Sequence, residues 1–402
     1  MLDGKIDICG DEMKTYTVGD CFYYIQNGAN IKQGVINGGF PITRIETISN
    51  GRFNRDRMGY AGIKDISKYR QYVLEDGDLL MSHINSVQYL GRTVLYQKNN
   101  DEIIIHGINL LKLKANRDII VPAYAKYYFD SNPFKEQLRR ITKKSVNQAS
   151  FTVNDLKRLI IQCPDISEQV EIISKLDMVR HIIMLRQQEI NRLDELVKAR
   201  FVEMFGDPVH NDRNWETDTV NNLCEEIYGG GTPSKAHPEY YEDGDIPWVS
   251  SKDMKADVLT DSQIKINQLG VDNSTAKLVP VNSVIMVIRS GILKHTLPVA
   301  INSVPITVNQ DLKVFIPSER ILTRFLAIQF RMHERDILSG VRAVTADNIE
   351  FNSLKQRELI VPPIEIQQEY VETIEKINKS KLLEAQQAGF IAKTGQQISF
   401  CR

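Results

Sequence analysis

Residues 165–208 read DISEQVEIISKLDMVRHIIMLRQQEINRLDELVKARFVEMFGDP, and this stretch decides the fold. It opens directly after Pro164, with Asp165 as an N-cap acid and Glu168 three residues on, a good helix start. Ile172, Leu176, Val179, Ile183, Arg186, Ile190, Leu193, Val197, Arg200 and Met204 then follow at alternating steps of four and three. Arg186 and Arg200 are the only polar members, so the stripe has the 3.5-residue period of a coiled-coil seam. Gly206-Asp207-Pro208 stops it. About 40 helical residues at 1.5 Å each predict a rod of roughly 60 Å, which suits a spacer better than a helix covering its own domain. A second such helix is expected from Glu365 through Gln387, with Tyr370, Ile374 and Ile377 on the matching stripe. Lys381 and Glu384 dilute it and Gly389 interrupts it, so it should be the shorter partner.

Working outward, the flanks of the long helix look alike. Gly19-Asp20-Cys21 with Gly28 downstream answers Asn222-Leu223-Cys224 with Gly231 downstream. Phe40-Pro41-Ile42-Thr43 answers Ile246-Pro247-Trp248-Val249, and the run Val73 to Leu80 answers Leu278 to Ile285. Leu159 to Pro164 answers Glu358 to Pro363, with Gln169 matching Gln368. Matches in one order at nearly one spacing indicate a duplication. Each half reads as short strands, a late helix (Pro122 to Arg140, Arg320 to Leu338), another strand and a long amphipathic helix. The expected fold is α/β (α+β), two repeated domains separated by long helices. Its segments are 1–164, the first spacer helix 165–206, the second domain 207–363, the shorter helix 364–389 and a polar tail 390–402.

Composition narrows the function classes. Hydrophobic residues at 42% suffice for buried cores and exclude disorder over most of the chain. Fifty Lys+Arg against 51 Asp+Glu leave a net charge of −1, so a nucleic-acid site needs local charge segregation. Five scattered cysteines without a C-x-x-C pair argue against a disulfide framework or zinc ribbon and fit a reducing cytoplasm. No apolar run approaches the roughly 20 residues of a membrane span, and no basic-then-apolar signal opens the chain, so no membrane partner is expected.

Charge is segregated at equivalent places. No acid occurs between Leu79 and Asn100, where Arg92 and Lys98 stand among Asn85, Ser86, Gln88 and Tyr89. None occurs from Asn273 to Gln310, where Lys277, Arg289, Lys294 and His295 stand beside Ser290, Asn302 and Asn309. Burial of Val284 to Ile288 accounts for part of the second gap, because buried strands exclude acids. Further basic groups are Arg44, Arg52, Arg55 and Arg57, and Arg139 to Lys144 leading into Ser145, Asn147 and Gln148. Lys and Arg neutralise phosphates, while Asn, Gln, Ser and Arg discriminate base edges. Two such faces held apart by a helix suit a divided DNA site.

Motifs for catalysis fail individually. Ser131-Asn132-Pro133-Phe134 is one residue from an amine-methyltransferase motif but lies within the late helical region. Tyr228-Gly229-Gly230-Gly231-Thr232-Pro233 has no following Gly-Lys-Ser/Thr, so it reads as a flexible turn near DNA rather than a nucleotide loop. Pro164-Asp165 lacks the downstream Glu-x-Lys of a nuclease. The histidines show no i, i+4 pairing for a metal. A self-contained methyltransferase or nuclease, and a helical bridging protein that ignores DNA, are the competing readings.

Leu193-Asp194-Glu195-Leu196-Val197-Lys198-Ala199-Arg200-Phe201-Val202-Glu203-Met204-Phe205-Gly206-Asp207-Pro208, then Asn214-Trp215, Gly229 to Ser234 and Gly244-Asp245-Ile246-Pro247-Trp248-Val249-Ser250-Ser251-Lys252-Asp253, resemble the specificity subunits of type I restriction-modification systems. The likeness includes the repeated Pro-x-x-x-x-Gln helix starts at Pro164 to Gln169 and Pro363 to Gln368. It implies two target recognition domains, each reading half of a bipartite sequence in double-stranded DNA, and antiparallel pairing of the long helices. It implies two modification subunits and translocating restriction subunits as partners, which would hold S-adenosylmethionine, ATP and Mg, while this chain takes no cofactor or metal and catalyses nothing. Partner docking falls on the stripe Ile172, Leu176, Val179, Ile183, Ile190, Leu193 and Val197. The implied DNA loops match Lys143 to Gln148 and Arg342 to Asn348. With them the candidate DNA contacts are Arg44, Arg52, Arg55, Arg57, Asn85, Ser86, Gln88, Arg92, Lys143, Lys144, Ser145, Asn147, Ser250, Lys252, Arg289, Lys294, His295 and Arg342.

Overall fold

A computed structural model describes residues 13–31, 35–36, 38–146, 148–340, 342–343 and 347–397. The chain divides into two units, residues 1–187 with 386–402, and residues 188–385.

In the first unit, alternating apolar runs form a four-stranded antiparallel sheet. Its order is Phe22–Asn27, Leu110–Ala115, Leu79–Ser82, Thr93–Leu95. Leu79, Leu80, Met81 and Ser82 are all buried, as a central strand requires. One face is covered by the helices Pro122–Asp130 and Asn132–Ile141, whose Tyr124, Phe129, Phe134 and Leu138 join the core. Lys14–Thr17 pairs with Ile160–Cys163 and closes the unit just before the first long helix.

The second unit repeats this plan. Its five-stranded sheet runs Cys224–Gly229, Leu312–Pro317, Val284–Val287, Val299–Asn302, Val258–Leu259, the last pair parallel. Helices Thr323–Met332 and Glu334–Ser339 cover it, and Thr217–Thr219 with Glu358–Ile360 forms the closing pair. Each late helix of the sequence reading is thus two helices. The first break falls at Ser131, whose Oγ accepts from Phe134 N (3.4 Å).

The two first-strand bulges match, at Phe22/Tyr24 and Cys224/Glu226, and they fix the repeat offset there at 202 rather than 203. Gly28 therefore answers Gly230, not Gly231. A Cβ on either would meet a carbonyl of the neighbouring segment, His106 O at 2.2 Å and Val308 O at 1.8 Å. Gly229 ends the strand, and Gly230 and Gly231 are close backbone approaches, to Val308 and to Thr275–Ala276, so the run is not a flexible turn.

The first long helix runs unbroken over Ile166–Phe205, 40 residues. Asp165 starts it as expected, accepting from Glu168 N (2.9 Å) and Ser167 Oγ (2.7 Å). The fully buried Gln169 then clamps it to its own unit. Its Oε1 accepts from Val121 N (2.8 Å), and its Nε2 donates to Ile119 O (2.8 Å) and Pro164 O (2.9 Å). The second long helix is clamped identically by Gln367, not Gln368. Gln367 Oε1 accepts from Leu322 N (3.0 Å), and Nε2 donates to Arg320 O (3.1 Å) and Pro362 O (2.8 Å). The second helix start is thus Pro362 to Gln367, and Gln368 is exposed.

The second long helix covers Ile364–Gln397, 34 residues, and passes through Gly389 without a break. The expected stop at 389 is not seen, and the helix continues into segment 390–402 as far as Gln397, the last described residue. One interior glycine costs a helix only about 1 kcal/mol, which its helix-forming neighbours absorb. Within the second unit it packs antiparallel to the end of the first. Tyr370 OH donates to Val197 O (3.0 Å), Lys381 pairs with Asp194, and Arg200 Nη2 lies 3.7 Å from Glu369. Tyr370 stands edge-on to Phe201 and Phe205, at 5.5 and 5.4 Å between ring centres. The seam has moved here from Arg200 and Met204 to the fully buried Phe201 and Phe205, because a straight helix drifts from a strict 3.5 repeat. No described helix is long and apolar enough to cross a membrane.

Candidate nucleic-acid interface

The first unit gathers part of the candidate set on a three-stranded patch. The hairpin Lys143–Lys144 and Ala149–Ser150 pairs with Ile84–Asn85, so that Lys144, Ala149 and Asn85 lie in register, as do Lys143, Ser150 and Ile84. Ser145 N and Oγ both donate to Gln148 O (2.7 and 3.0 Å) and close the tip. Lys143, Lys144, Ser145 and Val146 are exposed, Val146 at 99%. Asn147 lies outside the described residues. Asn85 Nδ2 donates to Ser82 Oγ (3.2 Å) and its Oδ1 accepts from Ser86 N (2.8 Å), which stiffens the adjoining turn. That turn carries Gln88 and Tyr89, both exposed, and the Arg92 guanidinium sits 4.4 Å above the Tyr89 ring. His83 is buried beneath the patch with Nε2 3.0 Å from Asn27 Nδ2, and burial pushes its pKa down.

The other arginines of this unit have different surroundings. Arg55 Nε and Nη2 donate to Glu102 (2.9 and 2.5 Å), Nη2 also to Gln97 O (2.8 Å), and the guanidinium covers Phe53 and Tyr96. Arg55 is a structural ion pair with only Nη1 left to offer. The Arg55 hydrogen bonds hold the Glu102 carboxyl down at about 2. Arg44 Nε lies 3.7 Å from Glu46, while Arg52 and Arg57 are exposed.

The second unit repeats the patch with other side chains. Arg342–Ala343 pairs with Asp347–Asn348, and Asn348 bridges to Arg289, the position that Ile84 holds in the first unit. The Arg342 side chain lies outside the described residues. Arg289 Nε and Nη2 bind Asp311 Oδ1 (2.7 and 2.6 Å), which aims a guanidinium that is still half exposed. Lys294 and His295 are exposed at the end of a short helical turn begun by Ser290. Ser250 donates through Oγ to Asp253 Oδ2 (2.8 Å) in a separate turn with Lys252 exposed.

The stripe of the first long helix does not face outward. Ile172 and Leu176 are buried in the first core with Val179 against it, and Val197 packs on the second core. Ile183, Ile190 and Leu193 are half buried. Apolar groups open to a partner are on the remaining faces: Val170 at 54% exposure, Met178 at 64% and Leu196 at 49%. Ser131 to Phe134 is a helix junction with Phe134 buried against Phe129, 4.6 Å between ring centres, and presents no open aromatic. Among the described residues no cluster of three His, Cys, Asp or Glu side chains could hold a metal. The sequence missed the register of the hairpins against Ile84–Asn85 and Arg289, since strands of two residues leave no periodicity.

Two copies of one α+β unit, each ending in a clamped long helix and each presenting a small hairpin patch of different chemistry, define an internally duplicated recognition scaffold. The model of the family described as the type I restriction modification DNA specificity domain matches residues 10–195 and again 212–388. The chain belongs to that family and carries its domain twice. It is similar to the type I restriction enzyme EcoR124I/EcoR124II specificity subunit of Escherichia coli, 33% identical over 231 residues, 55% of this chain and 56% of that one. A chain provisionally named the type I restriction enzyme MjaX specificity subunit, from Methanocaldococcus jannaschii, is 31% identical over 251 residues, 58% of this chain and 57% of that one. The match thus spans somewhat over half the length of these relatives. The fold is shared with a chain from a structure of complex assembly and conformational transition of the type I R-M system (TM-score 0.58, 17% identity, 97% of both chains). It is shared also with the type I restriction-modification S subunit of M. genitalium (TM-score 0.53, 10% identity, 99% of both chains).

Proposed function

We propose that this chain is the DNA-reading, non-catalytic subunit of a cytoplasmic type I restriction-modification complex. Each unit reads one half of a bipartite target in double-stranded DNA, and the long helices set the unread gap. One observation carries this reading: the same hairpin-on-strand scaffold occurs in both units with different side chains, lysines beside Asn85 in one and an aimed arginine in the other. A shared scaffold with divergent tips is what two readers of unlike sequences require. Two modification subunits would dock on the outward faces of the helices around Val170, Met178 and Leu196, with restriction subunits joining them. S-adenosylmethionine, ATP and Mg would belong to those partners.

The test is binding of the full chain with its modification subunits to duplex DNA at two salt concentrations, followed by selection of preferred sites. Binding should weaken steeply with salt. Arg289→Ala should alter preference in one half-site by roughly 1–3 kcal/mol per base pair read. Equal loss in both half-sites, or binding indifferent to salt, would remove the reading.

A further inference from the structure

The second unit carries two lysines on one aromatic ring. Lys313 Nζ lies 4.5 Å and Lys355 Nζ 4.9 Å from the centre of Phe351. Both lysines and the ring are partly open to solvent. Among the described residues neither ammonium has a carboxylate partner, although the chain pairs many of its other cations. Burial and the Lys355 cation together push the Lys313 pKa down. The backbone has been cut away to admit this charge. A Cβ on Gly229, opposite Lys313 in the sheet, would sit 2.6 Å from Lys313 Nζ.

The first unit shows that the fold does not need this arrangement. Lys313 faces Met286 where Leu111 faces Met81, and Leu111 is fully buried. The five-residue helix Phe351–Lys355 corresponds to Val153–Lys157, so Val153 replaces the aromatic ring. Lys157 answers Lys355, so it is Lys313 and the ring that the second unit adds, and the resulting pair of uncompensated like charges opposes stability and calls for an anion. They also adjoin the candidate interface. Lys313 follows Asp311, the partner of Arg289, and Phe351 lies three residues beyond Asn348, which bridges to Arg289.

We propose that Lys313 and Lys355, seated on Phe351 and over Gly229, form a phosphate-oxygen site for the DNA backbone that belongs to the second unit alone. It rests on the DNA-reading function above and adds the place where the second unit is anchored without regard to sequence.

The experiment compares the wild-type complex with Lys313→Met, Lys355→Met and the double variant, reading affinity for duplex DNA against salt. Each lost phosphate contact should reduce the slope of log K against log salt by ~0.9, so the double variant should lose ~1.8 while its site preference is unchanged. Lys313→Arg should keep the slope. Acetylation footprinting of the wild-type complex reads the same site without any substitution, and duplex DNA should protect both lysines. An unchanged slope, or lysines that stay reactive on DNA, overturns the proposal. So does protection by inorganic phosphate but not by duplex, which would assign the site to a free anion. A wild-type complex that does not bind DNA at all would instead sink the DNA-reading function.

Discussion

The matched clamps at the starts of the two long helices allow a stringent prediction. Gln367 is fully buried and makes three hydrogen bonds of 2.8–3.1 Å, to Leu322 N, Arg320 O and Pro362 O. Its neighbour Gln368 is exposed and reaches Glu372 at 3.2 Å on the same helix. Gln367→Ala strands one backbone donor and two acceptors. At about 1 kcal/mol per net hydrogen bond, with more for each buried group that water does not reach, the loss should be about 3 kcal/mol. Gln169→Ala should cost the same in the first unit, and Gln368→Ala less than about 0.5 kcal/mol. Calorimetry of the full chain, with hydrogen exchange to assign each transition to a unit, measures all three. A Gln368→Ala loss equal to that of Gln367→Ala, or no loss in either, would refute the clamp.

Three further outcomes follow from ion-paired, buried or helical groups. The Glu102 carboxyl is held at about 2 by Arg55, below its ordinary value near 4.5, so its contribution is full above pH ~4.5 and is lost as pH falls towards 2. Glu102→Gln should cost about 1.5–3 kcal/mol at neutral pH, measured by urea unfolding, and flatten that acid limb. His333 is 2% exposed and burial, followed by the Arg357 cation, lowers its pKa to about 4, so it is neutral in the fold. The second unit should therefore lose stability as pH falls from ~6.5 towards 4, about 2 kcal/mol by pH 5, and His333→Leu should remove this slope from the unfolding curve. Gly389 is helical with open space where a Cβ would go, so Gly389→Ala should raise helix stability by about 0.5–1 kcal/mol, seen as slower amide exchange around it.

The duplication and the long helices were legible because period and order survive divergence. Their register was not. The sequence doubles its letters where the repeats align, as Pro362-Pro363, Gly230-Gly231 and Gln367-Gln368, and letter matching cannot choose between neighbours. Only burial and hydrogen bonding select Gln367 and Gly230. The end of the second helix was misread because a single glycine carries too small a penalty to stop a helix. The basic segments were visible as composition, yet pairing of Lys143–Lys144 with Asn85, through two-residue strands, depends on contacts distant in sequence. Arg55 looked like a phosphate ligand because nothing local reveals Glu102, 47 residues away, as its partner.

The division of labour between the units is tested most directly by exchanging one hairpin. The complex is rebuilt with the first-unit hairpin, residues 143–150, replaced by the second-unit hairpin, residues 342–348, and the duplexes it selects from a random pool are sequenced. One half of the bipartite motif should change, with the other half and the gap between them retained. Alteration of both halves, or of neither, would contradict the account.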